Sequence, residues 1–203
     1  MMGNNYEYII SSLPAVSLDW KGAGNSTFSS YTDWIKTQLS AEDTRTLDVL
    51  LDGFKDENLD EEFYRKALAD SNSFIRNYFT FDLCVRNGKA RFLNKAFGMP
   101  VGKDTINIWD GEFLEADKLQ EALEAEDLIV REKNLDTLMW KKIEEISVFN
   151  YFDLDAILAF VAKLHIIYRW LILDPETGRE MFARLEADIR KTFTGVQYTA
   201  PED

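Results

Sequence analysis

Cysteine and histidine are almost missing from this chain. The single Cys84 excludes an intrachain disulfide framework and fits a reducing compartment. The single His165 lies 81 positions away from it, so no set of His and Cys converges with the spacing of a zinc site. Runs of Lys and Arg are also missing, and 23 basic residues stand against 36 acidic ones for a formal charge of −13. That balance repels phosphate backbones and anionic lipid surfaces. It argues against nucleic acid as a partner and favours a basic protein surface. No apolar run is long and uncharged enough for a bilayer: the most apolar window, Ala156 to Leu173, carries Lys163, His165 and Arg169. A charged side chain near a bilayer centre costs about 2.5 kcal/mol or more. The opening Met1 to Ile10 has no basic segment followed by an apolar one, so no signal peptide is read there. The expectation is a cytoplasmic protein without direct membrane insertion.

Catalytic patterns are equally thin. Gly22-Ala-Gly24 lacks both a third spaced glycine and the Lys-Ser/Thr of a phosphate loop. Glu121, Glu124, Glu126 and Asp127 read as a solvated acidic helix face rather than a carboxylate pair for acid and base work. Cys84, between Leu83 and Val85, reads as a small hydrophobe, and His165 as a core or edge histidine bonded to a neighbour. The expected protein has no catalytic residue, no metal and no cofactor.

What is present is helical periodicity. Tyr6 to Leu13, ending at Pro14 and rich in Tyr and Ile, is read as a short extended segment, with a helix start as the alternative. Residues 21–30, with two glycines and four hydroxyl side chains, are read as a loop. Ser30 is then read as the cap of a helix carrying Trp34, Ile35 and Leu39, and Ser40 with Asp43 resembles a capping box. Leu47, Leu50, Leu51 and Phe54 fall on one stripe, with Gly53 as a stop signal. Asp60-Glu-Glu opens another helix, with acids in its first turn and Phe63, Ala67 and Leu68 on its buried face. From a cap at Ser71 or Ser73 a longer run extends toward Phe97, interrupted at Asn87-Gly88, where a kink or split competes with a straight rod. Leu114 to Ala125 and Asn134 to Val148 are amphipathic. A last helix begins at Asp174-Pro-Glu, with a stripe of Phe182, Leu185, Ile189 and Phe193.

The longest apolar stretch, Phe149 to Leu173, is read as the central buried helix of the bundle. Its start echoes an earlier segment: Phe81-Asp82-Leu83 and Phe152-Asp153-Leu154 lie 71 positions apart, each preceded by aromatics. Two readings stay open. Either each Asp caps a helix or bonds backbone amides at a junction, or the pair marks a duplicated helical unit. The fold expected is all-α: a helical bundle of two related helical units sharing a core, with a short extended N-terminal segment. One domain spans residues 1–203, divisible into 1–97 and 113–195 around the irregular stretch 98–112.

Two resemblances add to this. Tyr6-Glu-Tyr8-Ile-Ile-Ser-Ser12-Leu13-Pro14-Ala-Val resembles the opening of a bacterial family of unknown function, typically Tyr-x-Tyr-Leu-x-x-Ser-Leu-Pro-x-Leu, whose genes lie among those for V/A-type ATPase subunits. Ile9 and Val16 stand where that pattern has Leu. The two Asp-Leu segments also resemble the Tyr-Asp-Leu-x-Asn helix starts of the socket-shaped C-type component of those ATPases, the counterpart of the eukaryotic d-type one. The Asn of that pattern is absent after both motifs, and Ala156 takes its place in the second. The socket-shaped component has three such units in a longer chain, whereas this one has room for two.

The resemblances imply a non-catalytic helical connector, or an accessory or assembly protein, of a bacterial V/A-type ATPase. Its partners would be stalk or ring subunits, which would make it peripheral to the membrane. Against this stand a small helical enzyme or ligand-binding protein with a pocket between the halves near Gly98 to Glu112, and a regulatory scaffold unrelated to an ATPase.

Overall fold

Helix α8, Leu154–Leu173, packs against five of the other seven helices found among the described residues. Its residues Ile157, Leu158, Val161, Ala162 and Leu164 are fully buried, so the apolar stretch singled out in the sequence is a core helix. The computed structural model describes residues 5–19 and 26–173. The expected helix from Asp174, with Phe182, Leu185, Ile189 and Phe193, and the Gly22-Ala-Gly24 segment lie outside them.

The order is α1 Tyr6–Ser12, α2 Phe28–Gln38, α3 Ala41–Asp52, a single 3₁₀ turn at Asp56–Asn58, α4 Glu61–Leu68, α5 Ser73–Ala96, α6 Ala116–Leu123, α7 Leu128–Ser147 and α8. No strand occurs among the described residues, and the fold is all-α. Side-chain caps fix most helix starts by accepting otherwise unpaired amides. Thr27 and Ser30 make a reciprocal box on α2, Ser40 caps α3 through the Asp43 amide, and Asp60 caps α4 through Phe63. Asn72 caps α5 through Ile75, and Asp127 caps α7 through Ile129 and Val130.

The first correction concerns the N-terminus, which is helical rather than extended. Ile9 is fully buried in the main core, and α1 lies against α8. The Tyr6 hydroxyl donates to Asp43 at 3.0 Å. Burial of one face of about two helical turns overrides the strand-like Tyr and Ile composition, because propensity is a weak prior against tertiary packing.

Helix α5 runs unbroken through Asn87-Gly88. The Asn87 side chain leaves its helix to bracket the backbone of Ile106, donating to its carbonyl at 2.8 Å and accepting from its amide at 2.9 Å. Gly88 lies under Leu119, where a Cβ would overlap that side chain, so its missing side chain lets α6 approach α5. The glycine serves packing between helices, not a bend.

Helices α5 and α8 run the same way, and α7 runs against both. Lys142 sits over the Phe81 ring and Arg131 over Phe92, while Arg169 meets Asp136 and Lys163 meets Glu144. The main core draws Ile35, Leu50, Tyr64, Phe74 and Phe79 from one half and Trp140, Ile143, Ile157 and Ile167 from the other. A smaller core joins Phe81 and Val85 to Leu119, Leu123, Leu135 and Leu138. The halves on either side of residues 98–112 therefore share both cores.

Candidate functional site

Three helices and the end of a fourth meet at a polar cleft of about 340 Å³. Helix α5 contributes Tyr78, Asp82 and Arg86, which are spaced four apart and so share one face. From α7 come Asp136 and Met139, from α8 His165, Ile166 and Arg169, and beyond α3 Phe54 and Asp56.

Each buried carboxylate here is held by an arginine and by one neutral donor. Asp82 accepts from the Tyr64 hydroxyl at 2.5 Å and from Arg86 Nε at 3.0 Å, and Arg86 reaches on to Asp56 at 3.0 Å. Asp136 takes Arg169 on both oxygens, at 2.7 and 2.6 Å, and the Trp170 indole at 2.5 Å. Burial raises the pKa of both aspartates, and the facing guanidiniums and hydrogen bonds only partly oppose it. His165 stacks flat on Phe54, with ring centroids 4.0 Å apart and planes 4° apart. Burial, with help from Arg169, lowers its pKa to about 4, so its imidazole is neutral at neutral pH.

Tyr78 is 6% exposed, and no hydrogen bond joins its hydroxyl to any described residue. No fully enclosed side-chain N or O among the described residues lacks a partner. The hydroxyl therefore opens onto the cleft it lines. Phe54, His165, Ile166 and Met139 supply apolar wall and Tyr78, His165 and the arginines supply donors. Such a wall can hold a small polar molecule. The imidazole titrates far below pH 7, and both carboxylates are engaged by arginines. Among the described residues no three His, Cys, Asp or Glu side chains are placed to hold a metal ion.

The two sequence motifs land in different places. Phe81 and Leu83 are buried and Asp82 sits in mid-helix, whereas Asp153 stands at the start of α8, accepting from the Ala156 amide at 3.0 Å and from Asn150 at 2.7 Å. Phe152 is exposed, together with Val148, Phe149 and Tyr151. Asp153 is thus a helix cap, and Asp82 is a side-chain acceptor inside the bundle. The equivalence expected of a duplicated unit is not found between them. In the N-terminal motif, Tyr6 bonds Asp43, Tyr8 lies 6.2 Å from the Trp34 ring, and the Ser12 hydroxyl donates to the Tyr8 carbonyl. Leu13 and Pro14 follow the helix end. None of these lines the polar cleft.

Sequence reasoning missed Tyr78, Arg86, Asp136 and Arg169. The four-residue spacing of Tyr78, Asp82 and Arg86 was the available signal, since polar groups interrupting an apolar helical face require partners. A groove of about 590 Å³ between α5 and α6 takes only Val101 from the stretch Gly98 to Glu112, where a pocket was expected. His165 and the two perturbed aspartates lie elsewhere.

These features define an all-helical bundle with a polar cleft and exposed apolar residues after the end of α7. Residues 109–192, spanning α6 to α8, match a family described as a protein of unknown function, DUF2764. No curated protein and no solved structure matches the chain.

Proposed function

We propose that this protein is a non-catalytic helical connector or accessory protein of a V/A-type ATPase, working by docking to other subunits. The observation that carries the docking part is the pair of exposed apolar clusters at opposite ends of α7. At its end and in the turn beyond lie Val148, Phe149, Tyr151 and Phe152, with Phe149 87% exposed. At its start lie Leu128, Ile129 and Val130, with Leu128 68% exposed. Twenty helical residues at about 1.5 Å each separate the clusters by roughly 30 Å. Large exposed aromatics ordered by a capped turn are the usual anchors of protein interfaces. The formal charge of −13 would speed encounter with basic partner surfaces and fix orientation more than add affinity. The N-terminal resemblance supplies the ATPase. Among the described residues no helix is long and apolar enough to cross a membrane, so contact with a membrane sector would pass through partners.

Pull-down with individually purified ATPase subunits at low and high salt tests this. At least one of them should be retained, less at high salt, and Phe149→Ser with Phe152→Ser should reduce retention at least tenfold. Absence of retention at both salts defeats the ATPase reading.

A second reading, a small-ligand-binding protein, is favoured by the Tyr78 hydroxyl and neutral imidazole facing one cleft. A thermal-shift screen of polar metabolites should then give a hit that Tyr78→Phe and His165→Gln weaken. An unaltered hit assigns binding elsewhere.

A further inference from the structure

The groove between α5 and α6 combines an apolar floor with cations that have no partner among the described residues. Along α5 it is lined by Cys84, Gly88, Arg91, Phe92, Lys95 and Ala96, a stripe of nearly three and a half turns. Phe113, Ala116, Leu119 and Leu123 close the other side. Ala96 and Ala116 add little bulk to the lining, and Gly88 is covered by Leu119. Residues 84 to 96 span roughly 18 Å at about 1.5 Å per residue. Cys84 carries no charge there, because burial pushes its thiol up to about 11.

Arg91 and Lys95 stand four residues apart, so their Cβ atoms lie about 6 Å from each other on one face. Neither side chain enters an ion pair or hydrogen bond among the described residues. Arg65, Lys66, Arg86, Lys142, Lys163 and Arg169 have acidic partners, whereas Arg91 and Lys95, like Lys118 and Lys141, have none among the described residues, and Arg91 and Lys95 stand beside the apolar trough. The one acid lining the groove, Glu124, is engaged by the Gln120 amide at 2.6 Å.

We infer that this groove binds a single-chain anionic amphiphile, with its acyl chain along the floor and its carboxylate against Arg91 and Lys95. A twelve-carbon chain extends roughly 15 Å, which the floor accommodates, and each methylene removed from water contributes about 0.8 kcal/mol. The two cations select for a charged head over a neutral one. This site is independent of the ATPase reading, since it needs no other protein.

Titration calorimetry of the full chain with dodecanoate and with dodecanol, both below their aggregation concentrations, tests it. Dodecanoate should saturate at one per chain with a micromolar Kd, and dodecanol should bind at least tenfold more weakly. Arg91→Ala with Lys95→Ala should weaken dodecanoate about tenfold and leave dodecanol unchanged. Ala96→Trp, at an exposed position that can accept the ring without unfolding, should block both. Non-saturable binding overturns the inference, as does equal affinity for acid and alcohol or indifference to Ala96→Trp. Preference for an acidic amphipathic peptide over dodecanoate would make the groove a protein interface and overturn it equally.

Discussion

At the scale of single residues, the groups that shape the cleft have pKa values moved in opposite directions, and the sign of each effect can be tested. His165 has a folded pKa of about 4, below its ordinary 6.5, so the stability it contributes is complete above pH 6.5 and is lost as pH falls toward 4. At about 1.4 kcal/mol per pKa unit, the loss approaches roughly 3 kcal/mol. Asp82 and Asp136, with raised values, act the other way and favour the folded state as they protonate. The difference between wild type and His165→Gln isolates the imidazole. Urea unfolding at pH 7 and pH 4.5 should show wild type losing more stability than the variant between the two. An equal loss would mean that the imidazole is not desolvated. Tyr64→Phe removes a donor from Asp82, leaving it with Arg86. The expected loss is about 1–2 kcal/mol at neutral pH, read from the urea midpoint.

At the scale of elements, a glycine and an aspartate each show how one residue type serves two purposes. Gly53 ends α3 with φ −70°, a conformation open to any residue, yet a Cβ there would overlap the buried Phe79 ring and crowd Phe63. Gly53→Ala should therefore destabilise the protein by about 1–3 kcal/mol in chemical denaturation, despite the better helix propensity of Ala. Likewise Asp153→Ala removes a cap from α8 and should cost about 1 kcal/mol. Asp82→Ala strands the buried Tyr64 hydroxyl and should cost about 2–3 kcal/mol. Equal losses in the two variants would restore the symmetry that the sequence suggested. The helices themselves were legible: the Ser40 cap falls where the capping pattern puts it, the acids after Asp60 open α4, and α8 is the buried helix its composition implies. Two starts shifted by one to three residues, to Thr27 and Asn72, because neighbouring Ser, Thr and Asn compete for one cap, and α7 has its cap at Asp127, seven residues before the expected Asn134. The cleft was not legible, since it joins Asp82 to Tyr64 across 18 positions and Asp136 to Arg169 across 33, pairings that no local pattern encodes.

At the scale of the whole molecule, the two cores decide whether the chain behaves as one cooperative unit. Tyr64 and Phe79 from α4 and α5 are packed in the same cluster as Ile143 of α7 and Ile157 of α8, and Ile9 of α1 joins them. Separating the halves would expose fully buried side chains on both sides, each worth about 1.5–3 kcal/mol of lost burial. Neither half then holds enough core of its own to survive as a folded intermediate, and unfolding should be two-state. Two reporters lie on opposite sides of the irregular stretch: Trp34 on α2 and Trp140, almost fully buried, on α7. In variants retaining only one of them, fluorescence should give urea midpoints that coincide with each other and with the loss of helical circular dichroism. A connector that transmits contact between surfaces about 30 Å apart requires that coupling, because a body whose ends unfold separately cannot pass a load from one to the other. Midpoints separated by more than about 0.5 M, corresponding to roughly 1 kcal/mol at the urea slope of a small protein, would show two units joined only by chain, and the connector reading would lose its mechanical basis.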